Sequence, residues 1–178
     1  MTPDRLMHSF TVAKVMYLLT RDVLGGSEVD AETAFVVGLN HDIGYCNPAA
    51  VSLTHQKLGQ KAVSSMSHRL GILVGAHGKP DTCYGHFKDG ELLFLLDLAD
   101  NSTTGAGEIV SYAARVEDIR HRCPPEALKY TQAVFDNMSS YANSTLRGSN
   151  PRLFHVWQMY SDGTLLQYLQ QNWHKVEF

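Results

Sequence analysis

The 178-residue sequence lacks the features that mark exported, membrane-spanning and nucleic-acid-binding proteins. No apolar run approaches the roughly 20 residues that a membrane-spanning helix needs. The first ten residues, MTPDRLMHSF, carry charges where a secretory signal would be apolar. The net charge is only −3 and there is no basic run, which does not favour a nucleic acid or an anionic membrane as a partner. We therefore expect a cytoplasmic protein that acts on small molecules, with a homodimer left open.

Cysteine is scarce as well. Cys46, Cys83 and Cys123 form no CxxC pair and are odd in number, which is typical of reduced thiols rather than of a disulfide framework or a cysteine zinc site. Hydrophobic residues make up 44% of the chain and charged residues 19%, which is typical of a globular domain of ordinary size. The unusual feature is the presence of nine histidines, so the positions of these histidines are the main guide to function.

Helix signals recur along the chain and predict an all-α bundle of about six to eight helices. The hydroxyl of Thr2 and the ring of Pro3 begin the first helix, which should run to about Leu24 before two glycines. The later helices are expected over residues 30–41, from 54 onward, and over 69–77, 90–100, 108–121 and 124–141.

The last part of the chain reads differently. The stretch 143–151, NSTLRGSNP, is rich in turn-forming residues and predicts a boundary between a helical main domain, 1–142, and a C-terminal extension, 143–178, packed on it. Within the extension, Ser161, Asp162 and Gly163 are consistent with either a short β-hairpin or a break before an extra helix. Its aromatic residues are interpreted as core or dimer packing: Trp157, Tyr160, Tyr168 and Trp173.

Five polar residues occupy positions at which apolar neighbours three, four and seven residues away predict a side chain facing the core. These residues are His8, His41, His55, His77 and Asp100. Burying an imidazole or a carboxylate costs several kcal/mol unless the group is paired or bound to a metal. A shared metal ion would satisfy all five. Asp42 reaches the same interior only if the end of its helix is enclosed, and the small residues Gly38 and Gly44 favour such a close approach.

The order of these residues resembles that of the HD-domain metal-dependent phosphohydrolases. The resemblance rests on RxxHS at Arg5 and His8, on HDIGY from His41 to Tyr45, and on LAD ending at Asp100, and it covers roughly residues 3–122. The chain is most similar to small bacterial HDIGY-type proteins, to which the symmetrical diadenosine tetraphosphate hydrolases are related. The resemblance implies an HD-domain helical fold.

The resemblance also implies a ligand set and a reaction. The implied metal ligands are His8, His41, Asp42 and Asp100. His55 and His77 match positions that either bind a second ion, bridged by Asp42, or contact the substrate. Mixed nitrogen and oxygen ligands suit Fe or Mn, with Co, Ni and Zn as alternatives. The implied reaction is hydrolysis of a phosphate ester or anhydride, with a nucleotide as the expected substrate, by water that the metal activates.

Other residues are candidates for catalysis and substrate contact. Lys79 and Arg115 are the cations best suited to charge on phosphoryl oxygens, with Lys79 also a candidate for a catalytic role. Asp97 lies one turn before the LAD aspartate and either orients a ligand histidine or acts as a general base. Substrate contact is also expected for His86, Lys88 and Thr104.

Two other functions are also consistent with the sequence. Some HD-type proteins are diiron oxygenases that use six ligand positions, and this chain has six. The short connection between His77 and Asp100 favours the hydrolases. The third function is a domain that binds a nucleotide without turning it over, although the complete set of ligand positions favours an enzyme.

Overall fold

The computed structural model describes residues 1–51 and 54–176, and these form an all-α bundle. The helices are α1 (Pro3–Leu18), α2 (Glu28–Asn40), α3 (His55–Val63), α4 (His68–Ala76), α5 (Gly90–Asn101), α6 (Tyr112–Arg122), α7 (Pro125–Tyr141), α8 (Arg147–Ser149), α9 (Pro151–Asp162) and α10 (Thr164–Asn172). Shorter helical turns cover Leu19–Val23, Ile43–Cys46, Tyr84–His86, Ala142–Leu146 and Trp173–Lys175. In the part of the chain so described, β-structure is limited to one bridge between Thr103 and Ile109. The all-α prediction is confirmed.

Local capping explains where the helices begin. The Thr2 hydroxyl accepts a hydrogen bond from the Arg5 backbone and starts α1 as predicted. Ser27 caps α2, which therefore starts slightly before the predicted residue 30; Ser27 and Asp30 form a reciprocal capping box. Helix α6 starts after the cap Ser111, a few residues later than predicted.

The C-terminal part differs from the turn predicted over 143–151. A π-helical segment, Ala142–Leu146, continues α7 into α8, and the chain breaks only at Asn150, whose side chain caps α9. Of the two alternatives at Ser161–Gly163, the structure has the helix break. Gly163 adopts a φ of +83° between α9 and α10, a left-handed conformation that glycine accepts without steric cost.

One apolar core joins the N-terminal and C-terminal helices. Helices α1 and α5 supply many of its fully buried residues, and α9 packs against α5. Trp157 and Tyr160 are buried in this core, and Tyr168 and Trp173 are half-buried against it, so these aromatic residues serve core packing. Among the residues described, no helix is both long enough and apolar enough to span a membrane.

Candidate metal centre

The six candidate ligands lie together although they come from separate parts of the bundle. His8 is on α1, His41 and Asp42 follow α2, His55 begins α3, His77 follows α4 and Asp100 is near the end of α5. The first five residues are buried, and the side chain of Asp100 is 20% exposed. The predicted core-facing placement of the four histidines is therefore confirmed.

The ligand atoms form two groups of three residues, and the two groups share Asp42. The Nε2 atoms of His8 and His41 lie 3.3 Å apart, and they lie 3.7 Å and 3.6 Å from Asp42 Oδ2. The Nε2 atoms of His55 and His77 lie 3.2 Å apart, and they lie 3.2 Å and 3.8 Å from Asp42 Oδ1. Each oxygen of the Asp42 carboxylate thus faces one pair of histidines.

Asp100 lies beside the first of these groups. Its Oδ1 lies 3.1 Å from His8 Nε2 and 3.4 Å from a guanidinium nitrogen of Arg115. Arg115 also donates to Asp118 at 2.9 Å, so its side chain is held between two carboxylates. This places a fixed positive charge directly beside the cluster.

Backbone carbonyls orient three of the rings. Nδ1 of His8 donates to the Thr104 carbonyl at 2.9 Å, Nδ1 of His41 to Gly38 at 2.6 Å, and Nδ1 of His77 to Val74 at 2.8 Å. A neutral imidazole that donates through Nδ1 carries its lone pair on Nε2.

The lone pairs of His8 and His41 therefore face each other at 3.3 Å, where two acceptors cannot form a hydrogen bond with each other. A metal cation bound between these atoms would accept both nitrogen lone pairs and an oxygen of Asp42 as ligands. Imidazole nitrogens together with carboxylate oxygens are the donors of divalent transition-metal sites. The residues present fit a divalent metal ion.

The charge states of the cluster suit the same role. Burial lowers the pKa of His41 to about 4, so the ring is neutral and its lone pair is available near pH 7. Burial opposes ionisation of Asp42, yet its neighbours His41, His77 and Arg5 hold its pKa well below the usual range. Burial likewise opposes ionisation of Asp100, while its close contact with His8 and the charge of Arg115 lower its pKa.

Two glycines allow the elements to approach closely enough to form the cluster. A Cβ at Gly38 would lie 2.7 Å from the Cα of Ala13, so α2 could not pack as tightly on α1. A Cβ at Gly44 would overlap the carbonyl oxygen of His55, so the turn after Asp42 packs directly on the backbone of α3. The predicted role of both glycines in close approach is confirmed.

The cluster lines a cleft of about 480 Å³. Guanidinium groups on its lining come from Arg5, Arg115 and Arg122. Its apolar lining comes from the end of α6 and from α7, and comprises Ile119, Pro124, Ala127, Tyr130 and Val134. The cleft thus offers positive charge next to the cluster together with an apolar surface.

Arg5 and Tyr45 also belong to this site. The sequence shows them only as members of the RxxHS and HDIGY motifs and predicts no role for either. Arg5 donates to Asp42 Oδ2 at 2.8 Å, and its guanidinium lies 4.2 Å from the centre of the Tyr45 ring. The Tyr45 ring in turn stacks on His55 at 4.4 Å. The spacing of three residues between Arg5 and His8 already placed both on one helix face. The stacking of Tyr45 depends on the tertiary fold and had no local signal.

The predicted substrate contacts are distributed over different places. Arg115 lines the metal cleft. Lys79, His86 and Lys88 line a separate cleft between α4 and the loop 79–89. Thr104 lies behind His8, where its carbonyl accepts from the ring and its hydroxyl accepts from the Glu108 backbone.

Asp97 anchors the chain beside the cluster. Its carboxylate accepts from the backbone of Gly78 and from the hydroxyl of Tyr84, both at 2.7 Å. Burial raises the pKa of Asp97 to about 6. Because backbone carbonyls orient His8, His41 and His77, the carboxylate of Asp97 holds the residue after His77 in place and does not carry out the ring orientation proposed for it.

The fold and the cluster define an all-α protein with a buried cluster of histidines and aspartates that could hold a metal ion. A family model described as HD domain matches residues 5–103, which is more than half of the chain and includes all six candidate ligands. The chain therefore belongs to the HD domain family, whose members are generally metal-dependent phosphohydrolases. No curated protein and no solved structure matches the chain.

Proposed function

We propose that this protein is a metal-dependent phosphohydrolase that cleaves a phosphate ester or anhydride of a small molecule, specifically of a nucleotide. The observation that carries the proposal is the position of Asp42, which has one pair of histidines at each carboxylate oxygen and forms part of the wall of the cleft. Shared carboxylates of this kind serve sites that hold two ions around one phosphate.

The chain's residues divide into two proposed ligand sets. One ion would be held by His8, His41, Asp42 and Asp100. A second would be held by Asp42, His55 and His77. Fe or Mn is the proposed metal, with Co, Ni and Zn as alternatives. When bound, such an ion lowers the pKa of water and polarises phosphoryl oxygens.

The cationic groups of the cleft are proposed to bind and orient the phosphate. Arg115 is held by Asp100 and Asp118, so its guanidinium is already positioned for charge that develops on phosphoryl oxygens. Arg5 is fixed in the same way by its bond to Asp42 and its packing on Tyr45. Two positioned guanidiniums favour a phosphate over a neutral substrate.

The apolar lining supports a nucleotide over a sugar phosphate. Ile119, Ala127 and Tyr130 line the cleft that the cluster also lines, and a flat base could pack against them. A volume of about 480 Å³ lies within the range of small-molecule sites. The HDIGY motif at His41–Tyr45 and the LAD motif support a proposed relation to the HDIGY-type proteins and the symmetrical diadenosine tetraphosphate hydrolases.

The first test combines metal analysis of the purified protein with a screen for phosphate release from nucleotides. We expect Asp42→Ala to lose bound metal and phosphate release while it keeps its helical circular dichroism spectrum, because Asp42 belongs to both ligand sets. Asp136→Ala is the matched control, since Asp136 is exposed on α7 outside the cleft. If Asp42→Ala retains both metal and activity, the proposed site is wrong.

A second candidate is a diiron oxygenase, which the presence of six candidate ligands in one cluster favours. Oxygen consumption by the iron-loaded protein, without phosphate release from any nucleotide, would support the oxygenase function and contradict the hydrolase function. Tight nucleotide binding without turnover in Mn, Fe, Co and Ni would instead support the non-catalytic alternative.

A further inference from the structure

A second cleft, of about 970 Å³, lies between α4 and the loop 79–89. Its lining shares no residue with the lining of the metal cleft. Neither the ligand cluster nor the cationic groups around it use this cleft. The two clefts are adjacent along the chain, because His77 and Gly78 line the metal cleft and Lys79 lines the second one.

The lining of the second cleft carries more positive than negative charge, because Arg69, Lys79 and Lys88 outnumber Asp81 and Asp89. Arg69 is already paired with Asp89 through two hydrogen bonds of 2.8 Å. Lys79 and Lys88 form no ion pair with any residue that the structure describes, and Lys79 is half-buried. A half-buried lysine commonly packs its aliphatic stem on the protein and keeps its ammonium accessible, so the Lys79 ammonium is available to an anion. The cleft therefore has free capacity for an anion.

The loop that presents these charges is held in one conformation. The Thr82 hydroxyl donates to the Ala76 carbonyl at 3.0 Å, and the Asn137 side chain donates to the Thr82 carbonyl at 2.8 Å. Tyr84, which is buried, donates to Asp97 at 2.7 Å. Backbone that is held between Lys79 and Lys88 reduces the conformational entropy that the loop would lose when a ligand binds.

The same cleft has an apolar part, to which Ile72, Leu73, Ala76 and Phe87 contribute. Ile72 is 37% exposed although it is a large aliphatic residue. We infer that the second cleft binds a phosphorylated small molecule, whose phosphate contacts Lys79 and Lys88 and whose planar or apolar part packs against Ile72 and Phe87. This site is independent of the proposed hydrolytic centre.

The probes for this site are ADP, which has both a diphosphate and a planar base, and pyrophosphate, which has only the charged part. Each is titrated calorimetrically into the full chain in the presence of EDTA, so that no divalent ion assists binding. We expect ADP to bind the wild-type protein with a Kd at or below about 1 mM. Pyrophosphate should bind more weakly, because it lacks the part that packs on Ile72 and Phe87.

The decisive comparison is between two double variants that change the net charge equally. Lys79→Glu with Lys88→Glu should weaken ADP binding at least about tenfold, because it removes two charge-assisted contacts. Lys57→Glu with Lys61→Glu, at exposed positions of α3 outside both clefts, should leave the affinity unchanged. Circular dichroism checks that all variants stay folded.

A third variant separates this site from the metal cleft. Arg115→Ala removes a cation from the metal cleft, and the ADP binding that Lys79→Glu with Lys88→Glu weakens should persist in this variant in EDTA. Loss of ADP binding in Arg115→Ala, equal weakening in the two lysine variants, or no binding of either probe to the wild-type protein would each overturn the inference. Phosphate release by the metal-loaded wild-type protein tests the proposed hydrolase separately.

Discussion

Asp42 is the one residue that both groups of candidate ligands share among the residues described. Its two carboxylate oxygens face different histidine pairs, and Arg5 bonds to one of the same oxygens. An asparagine or glutamine could not replace this group, because neither carries a negative charge to balance the Arg5 guanidinium and the proposed metal ion. His77 has a narrower role, since it contacts only the Oδ1 side of Asp42.

This difference leads to a prediction about stoichiometry. His77→Ala should reduce the bound metal to about half, because it removes a ligand from one set and leaves His8, His41 and Asp42 intact. The metal content per chain is measured by plasma mass spectrometry after loading with Mn. His121→Ala is the control, as His121 is exposed on α6. Unchanged metal content in His77→Ala would mean that the cluster holds one ion.

At the residue scale, the core-facing positions of the candidate histidine ligands were predictable, whereas the separate cleft around Lys79 and Lys88 was not. His8 and His77 each interrupt an apolar helical period, and that pattern is visible in a single sequence. Lys79 and Lys88 lie on a loop whose path depends on the bonds of Thr82 and Tyr84 to distant residues. No local rule gives that path, so the cleft that these lysines line could not be predicted.

At the scale of elements, the turn after α2 is the part on which the site depends most. The helical turn Ile43–Cys46 packs on the start of α3 through Gly44, and this contact brings Asp42 next to His55. The overlap that a side chain would cause at Gly44 involves backbone atoms of His55, which cannot rotate away.

We therefore expect Gly44→Ala to destabilise the protein by about 1–3 kcal/mol, the usual cost of overpacking, and to weaken metal binding. The midpoint of urea unfolding and a metal titration measure the two effects. Gly148→Ala is the control, since a Cβ there meets no atom within 4 Å. A Gly44→Ala protein with the wild-type midpoint would contradict this role of the turn.

Most elements were predictable because their signals are local. The cap Thr2 and the prolines at the start of α7 lie within a few residues of the helix starts that they determine. Helix α6 begins after Ser111 rather than at the predicted residue 108. The segment 143–151 was different. Its asparagine, serine and glycine residues favour turns individually, yet Ala142 and Leu146 are fully buried and their packing keeps the chain helical. Tertiary burial outweighs a weak local propensity.

For the whole molecule, the important feature is that the candidate ligands come from elements spread over the first hundred residues. A ligand that binds several elements at once stabilises the folded chain as a unit, by about 2.7 kcal/mol at a concentration of 100 times its Kd. The C-terminal helices share this benefit because they pack in the same core.

The corresponding prediction concerns thermal unfolding. Saturating Mn should raise the Tm by about 5–10 °C relative to EDTA, the shift that a chain of this length shows for that stabilisation. Differential scanning calorimetry of wild-type and Asp42→Ala proteins measures it. The variant should show the same Tm in both conditions. A wild-type Tm that does not respond to Mn or to the other proposed metals would argue against a metal centre that links these helices.

The bond between Arg5 and Asp42 has a consequence for the order of events in biosynthesis. Asp42 has a positively charged neighbour, 2.8 Å from Oδ2, that the polypeptide itself supplies. The newly made chain can thus bury this carboxylate without waiting for an ion from the cell. On the proposed function, the metal ion would enter a chain that has already folded, and the supply of metal would set how much protein is active rather than how much protein folds.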